Sequence, residues 1–465
     1  MTLAPARART VHPAPRRAPA AATPAAAPRD RSIDAVRTLL LLVVVALHST
    51  MVGVSVGAAG PVLQNALEEQ AWFAPVSWVL QVMPLFFVIG GFASVTQWRR
   101  LRATGVSAPA YVRGRIDRLV RPAIVLVAVV GAVLLGMLAV GVPAELVATA
   151  SFRIGQPLWF LAVYILCSAL VPLMVAAHER ARRTTPAVLA TAVIAVDAVR
   201  FATGSDAVGF LNLLFVWLLV QQLGFWLADG AVEALPRRTR IALIPASLAT
   251  LVVLCSAGPY SPDMYVNLNP PTVALVLLGV AQLMVFSLLR GRIAHAAERP
   301  VVHRVVQALG QRSMTVYIWH MPVLIALAAV LLALNAVAGL PLPDPLSAAW
   351  WATRPAWLFL VAVAVTPVVA VLARFERGKR TPQGAAPSAS VAVDTVLGAG
   401  GVATVLVAGF GVLPASIGLL LLGWALIGTA RVARAAGVIR RKRTESSAWM
   451  TQQGLPADDS ALPVS

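Results

Sequence analysis

Cysteine and lysine are almost missing from this chain. Its 465 residues include two cysteines, Cys167 and Cys255, each inside an apolar run. Two isolated thiols exclude a disulfide framework and a cysteine-based zinc cluster, and no metal is expected. Two of the 38 basic residues are lysine, Lys379 and Lys442, and the rest are arginine. With abundant Ala and Val, that bias fits a GC-rich bacterial genome. Charge of either sign is also scarce. Charged residues make up 12% of the chain, about half the usual ~25% of a globular domain.

What is abundant is apolar. Hydrophobic residues are 59% of the chain, and the mean hydropathy is +0.80. A soluble protein this apolar could not cover its surface with polar groups. The composition excludes collagen, a disulfide scaffold and a mainly disordered chain, and it points to a polytopic membrane protein. The formal net charge of +19 would indicate a nucleic-acid binder in a soluble chain. In a membrane chain it sets topology, and no nucleic-acid partner is expected.

Apolar runs are expected as helices at about 38–58, 71–97, 120–141, 157–177, 186–203, 208–228, 239–256, 271–289, 313–336 and 348–373, with a pair at 393–411 and 414–431. Each is near the ~20 residues that cross ~30 Å of hydrocarbon. The fold class is all-α, a polytopic transmembrane helix bundle. A disordered tail (1–30) precedes a ten-helix core (31–375). A linker (376–392), an additional two-helix hairpin (393–431) and a polar tail (432–465) follow. With twelve spans, every basic residue except Arg153, Arg200 and Arg354 falls on one side. Arginine and lysine gather on the cytoplasmic side, so both termini are expected in the cytoplasm, with the chain in the bacterial cytoplasmic membrane.

Ionisable groups inside a membrane are costly, and each needs a reason. His48 follows Arg37 by eleven residues, about three helical turns and about 16 Å along one face. Asp34 stands one turn before Arg37 and can pair with it. His48 reads equally as a helix-packing residue or as a reactive group. Ser313, Tyr317 and His320 form a polar stripe on one helix face, either as interhelical glue or as part of a site. In the basic loop Tyr111–Pro122, Arg115 and Arg118 stack on a helical turn. Stacked guanidinium groups suit a polyphosphate or anionic lipid. Trp159, Phe160 and Tyr164, and likewise Trp350, Trp351 and Trp357, read as interfacial aromatic belts. The loop 257–270, with Tyr260, Asp263, Tyr265, Asn267 and Asn269, offers polar groups to an acceptor on the side opposite the arginines.

These residues together resemble the acyltransferase-3 family of integral membrane O-acyltransferases. The basic residue, ten intervening residues and His of its first helix are Arg37 and His48, led by Asp34. Its Arg-x-x-Arg is Arg115 and Arg118. Leu158-Trp-Phe-Leu161 is similar to its fourth-helix signature, and Ser313-Met-Thr-Val-Tyr-Ile-Trp-His320 to a late segment. The resemblance covers residues 31–375. Where the family commonly has Phe-Phe-x-x-Ser-Gly, this chain has Phe86-Phe-Val-Ile-Gly90-Gly, so a usual hydroxyl is absent.

The resemblance implies transfer of an acyl group, acetyl first, from cytoplasmic acyl-CoA as co-substrate to a carbohydrate or glycoconjugate hydroxyl. Arg115 and Arg118 would bind coenzyme A phosphates. His48 would act as general base or form an acyl-histidine. Arg37 would hold a phosphate or orient the entrance. His320 and Tyr317 would orient the acceptor or polarise the thioester. The competing class is a transporter or flippase, which predicts flux without coenzyme A and paired broken helices. A third is a structural membrane protein, in which His48→Ala is silent.

Overall fold

A computed structural model describes residues 30–57, 60–68, 70–376 and 388–428. The expected tails, the linker residues 377–387 and the end of the hairpin past 428 lie outside the described residues. In chain order the elements are α1 (Arg31–Met51), β1 (Val52–Gly57), β2 (Gly60–Asn65), α2 (Phe73–Leu80), α3 (Met83–Ala103), α4 (Ala108–Ala139), α5 (Ala144–Gly155), α6 (Leu158–Ala169), α7 (Val171–Arg180), α8 (Thr184–Thr203), α9 (Asp206–Gly209), α10 (Asn212–Ala228), α11 (Arg237–Ala257), α12 (Val273–Ala296), α13 (Pro300–Gly310), α14 (Ser313–Ala338), α15 (Ala348–Leu372) and α16 (Ser388–Ala408). A shorter apolar helix, α17 (Val412–Gly428), closes the described chain. Eleven spans among these residues are long and apolar enough to cross a membrane. The protein is an all-α polytopic bundle.

Four local outcomes differ from the expected runs. The first span stops at Met51 rather than near residue 58. Val52-Gly-Val-Ser-Val-Gly57 alternates β-branched and small residues, which favours a strand. It pairs antiparallel with Gly60–Asn65 and buries Val52 and Val54 in the core. His48 therefore sits in the last turn of α1. Second, the basic segment is not a loop. Ser107 accepts from the Ala110 N–H and caps a helix that already includes Arg113, Arg115, Arg118 and Arg121. At 32 residues, α4 is about 48 Å long and exceeds the ~30 Å hydrocarbon, so its arginine-bearing end can stand outside it.

Third, the second span is broken between α2 and α3. Gln282 repairs the break. Its Oε1 accepts from Leu85 N–H at 3.1 Å, and its Nε2 donates to the Gln81 carbonyl at 2.8 Å. A broken helix at membrane depth needs such partners. Fourth, the expected helix 157–177 is divided among α6 and α7 and preceded by α5.

Two buried clusters hold the bundle. One joins α4, α5, α6, α14, α15 and α16. The other joins α1, α3, α6, α10 and α12. α3 and α10 cross almost backbone to backbone. A Cβ on Gly224 would overlap the Val88 carbonyl oxygen, and one on Gly91 would overlap the Gln221 carbonyl. Tyr164 of α6 and Tyr317 of α14 pack against both clusters.

Candidate active site

α1 and α14 bring His48 and His320 together, 272 residues apart in sequence. His48 Nδ1 is 2.7 Å from His320 Nε2. The ring centroids are 5.1 Å apart and the planes differ by 6°. A centroid separation close to the N···N distance plus two ring radii means the rings meet edge to edge in one plane. They are hydrogen-bonded, not face-stacked. His320 is fully buried, whereas His48 keeps accessible surface.

The donor order follows from the next partner. His320 Nδ1 contacts the Tyr317 carbonyl oxygen, which only accepts, so Nδ1 carries the hydrogen. A neutral imidazole has one donor and one acceptor nitrogen. His320 Nε2 therefore accepts, and His48 Nδ1–H donates to it. His48 Nε2 is left with a lone pair and no protein partner among the described residues. The turn that carries His48 is fixed from outside. Trp357 Nε1–H donates to the Ser49 carbonyl at 3.0 Å, one of the carbonyls orphaned where the helix ends.

The Tyr317 hydroxyl has a backbone partner. It donates to the Pro157 carbonyl at 2.5 Å, at the join of α5 and α6. The phenol is thus engaged with backbone, and the main-chain carbonyl of Tyr317 orients His320. Its ring continues the site. Tyr317 and Phe160 lie 4.9 Å apart edge to face, and Phe160 stacks on Tyr164 at 5.3 Å. The Arg115 guanidinium is 5.8 Å from the Tyr164 ring centroid, and its Nη2 donates to Tyr164 Oη at 3.1 Å. A continuous run of rings thus joins the histidine pair to Arg115.

Tyr164 is the residue that sequence reading placed wrongly. Trp159, Phe160 and Tyr164 are not an interfacial belt. They pack inward against Phe86, Phe87, Trp217 and Tyr317. Arg37, Arg115 and Arg118 all lie within electrostatic reach of the Tyr164 hydroxyl. Its position four residues after Phe160, on the same helix face, was the available signal. Arg121 instead pairs with Asp117 at 2.7 Å. Asp34 makes no ion pair with Arg37 among the described residues. The charge at the start of α1 is balanced elsewhere, by Asp30 on Arg290 at 2.5 Å. Among Trp350, Trp351 and Trp357, two are buried, and Arg354 lies over the Trp350 ring at 4.1 Å.

With the geometry in place, a comparison with protein families matches residues 30–374 to the acyltransferase domain of the acyltransferase-3 family. The chain belongs to that family. It is a multi-pass membrane acyltransferase. No curated protein and no solved structure matches it.

In loop 257–270 several polar groups serve the loop's own fold. Tyr260 Oη donates to buried Asp197 at 3.1 Å, and Tyr265 Oη donates to the Leu80 carbonyl at 3.0 Å. Asn267 Nδ2 donates to the Ser261 carbonyl at 2.6 Å, and Asp263 Oδ1 accepts from Tyr265 N–H. Asn269 of the same loop is exposed.

Proposed function

We propose that this acyltransferase moves an acyl group, acetyl first, from acyl-CoA to a hydroxyl of a cell-envelope glycan, glycolipid or glycosylated metabolite. The observation that carries the reading is the histidine pair, with His48 Nε2 as its one nitrogen without a partner among the described residues. It lies at the end of a ring-lined run that starts at Arg115. The arginine-rich side is the cytoplasmic side of a bacterial membrane, with both termini there. Arg115 and Arg118 hold coenzyme A phosphates, since stacked guanidinium groups bind phosphate oxygens in pairs. Arg37 supplies a third positive charge.

His48 Nε2 takes the proton of the acceptor hydroxyl as its oxygen attacks the thioester carbonyl. The C–O bond forms, the C–S bond breaks, and the coenzyme A thiolate leaves. The new imidazolium returns its proton to that sulfur. His320 accepts the Nδ1–H of His48 throughout and holds it in the productive tautomer. The same nitrogen is the nucleophile if transfer passes through acyl-histidine. A single-turnover reaction without acceptor separates the two routes, because only the second releases one equivalent of free coenzyme A thiol per enzyme before acceptor is added.

The test uses membranes with labelled acetyl-CoA and a panel of envelope glycans and small glycosides. His48→Ala should lose transfer, by about 10²- to 10⁴-fold, and still bind acetyl-CoA. The double variant Arg115→Ala/Arg118→Ala should bind it weakly. Undiminished transfer by His48→Ala overturns the mechanism. Flux of an acceptor with no acyl transfer would favour a transporter.

A further inference from the structure

Helices α16 and α17 lie beyond the family-matched segment 30–374. They nevertheless grip the two helices that present Arg115 and Tyr164. Arg113 makes the hold. It stands two residues before Arg115 in α4, on a nearly opposite face, and is 1% exposed. Its Nη1 donates to the Gly428 carbonyl at 2.8 Å, and its Nη2 donates to Ser390 Oγ at 3.1 Å. The same Nη2 is 3.6 Å from Oδ2 of Asp394, which is also buried. A Cβ at position 428 would overlap Asp394 Oδ1, so a larger residue there must displace that carboxylate.

The other end of the hairpin is pinned too. Phe410 N–H donates to Ser151 Oγ of α5 at 2.8 Å. Between the pins, α16 packs along α6 and α4. A Cβ on Gly398 would lie 3.1 Å from Val120 of α4. Apolar contacts alone would hold such a hairpin in place. A buried ion pair adds little net stability, because desolvation offsets its attraction. What it adds is a fixed register between the helices it joins.

We propose that the Arg113–Asp394 pair makes the α16–α17 hairpin a brace that sets the rotation of α4 and so positions Arg115 and Arg118 for the acyl donor. Arg113 and Asp394 are positioning residues. The proposal rests on the reading that Arg115 and Arg118 bind the donor's phosphates.

The full chain is assayed in membranes with two donors, acetyl-CoA and acetyl-N-acetylcysteamine. The second is a thioester without nucleotide phosphates. Asp394→Asn should raise KM for acetyl-CoA by about tenfold with kcat unchanged. It should leave the short donor unaffected, and Asp394→Glu should recover most of the loss. Should Asp394→Asn not reach the membrane, Arg113→Lys keeps the charge, loses the fork, and reads the same KM. Arg115→Ala runs in parallel. An unchanged KM there defeats the donor reading. A raised KM in Arg115→Ala beside an unchanged KM in Asp394→Asn overturns the brace. So does an equal loss of kcat with both donors.

Discussion

His48 Nδ1 lies 2.7 Å from His320 Nε2, in rings coplanar to 6°. The relationship is directional because His320 is itself held by the Tyr317 carbonyl. A proton placed at that carbonyl fixes a lone pair at His320 Nε2, then a proton at His48 Nδ1, then a lone pair at His48 Nε2. One backbone oxygen in α14 thereby sets the tautomer of a side chain in α1.

This order predicts graded effects at position 320. His320→Gln retains an oxygen that can accept from His48 Nδ1–H. His320→Leu leaves that N–H buried without a partner, at a cost of about 1–3 kcal/mol, and releases the tautomer. Transfer should fall from wild type to His320→Gln to His320→Leu, with acyl-CoA binding unchanged. Equal rates in the two variants would show that His320 does not act through its acceptor nitrogen.

Tyr164 offers a narrower probe. Tyr164→Phe keeps the ring that packs on Phe160 and removes only the hydroxyl that accepts from Arg115. One hydrogen bond of this kind is worth about 1 kcal/mol, roughly fivefold in KM. The expected result is a raised KM for acyl-CoA with kcat preserved. A fall in kcat with KM unchanged would place Tyr164 in the chemistry instead.

Much of this fold was legible because hydropathy and helix length are local properties. The helix cores needed no structure. Arg37, His48, Arg115, Arg118 and His320 stood out as candidates through their spacing and family likeness. Their pairing was not, since His48 and His320 are 272 residues apart and nothing local links them. The strand at Val52–Gly57 was hidden because an apolar run reads as more helix. Arg113 looked like one more charge in a basic segment until its partners on α16 and α17 were seen. Tyr164 looked like an interface aromatic because an inward ring and a belt ring share one composition.

Acid stability should report a second network, on the arginine-rich side. Burial pushes the Asp229 carboxyl up, but hydrogen bonds from Arg99 and His178 outweigh it and hold the group below its ordinary 3.8. Arg102 foremost, with Arg99, holds Glu179 below its ordinary 4.5. A carboxyl depressed in the folded state favours folding above its ordinary value. The benefit is lost as pH falls through the depressed value. Melting temperature in detergent should thus be steady above about pH 4.5 and decline below it. Glu179→Gln should lower the plateau and flatten part of the decline. An unchanged acid profile in Glu179→Gln would show that the α3–α7 pairing carries no stability.

Two glycines, Gly224 in the α3–α10 crossing and Gly90 of α3 facing α6, should respond differently. At Gly224 an added Cβ overlaps the Val88 carbonyl oxygen and lies 2.7 Å from the Phe92 nitrogen. Both obstacles are backbone and cannot rotate away, so Gly224→Ala must separate α3 from α10. Forced overpacking of this kind costs about 1–3 kcal/mol. At Gly90 the nearest atom to an added Cβ is Tyr164 Cε2 at 3.8 Å, an ordinary contact. Gly90→Ser, which adds a hydroxyl in this open space, should fold with an unchanged melting temperature. Gly224→Ala should melt several degrees lower. Comparable melting of both variants would mean that the crossing can open without loss.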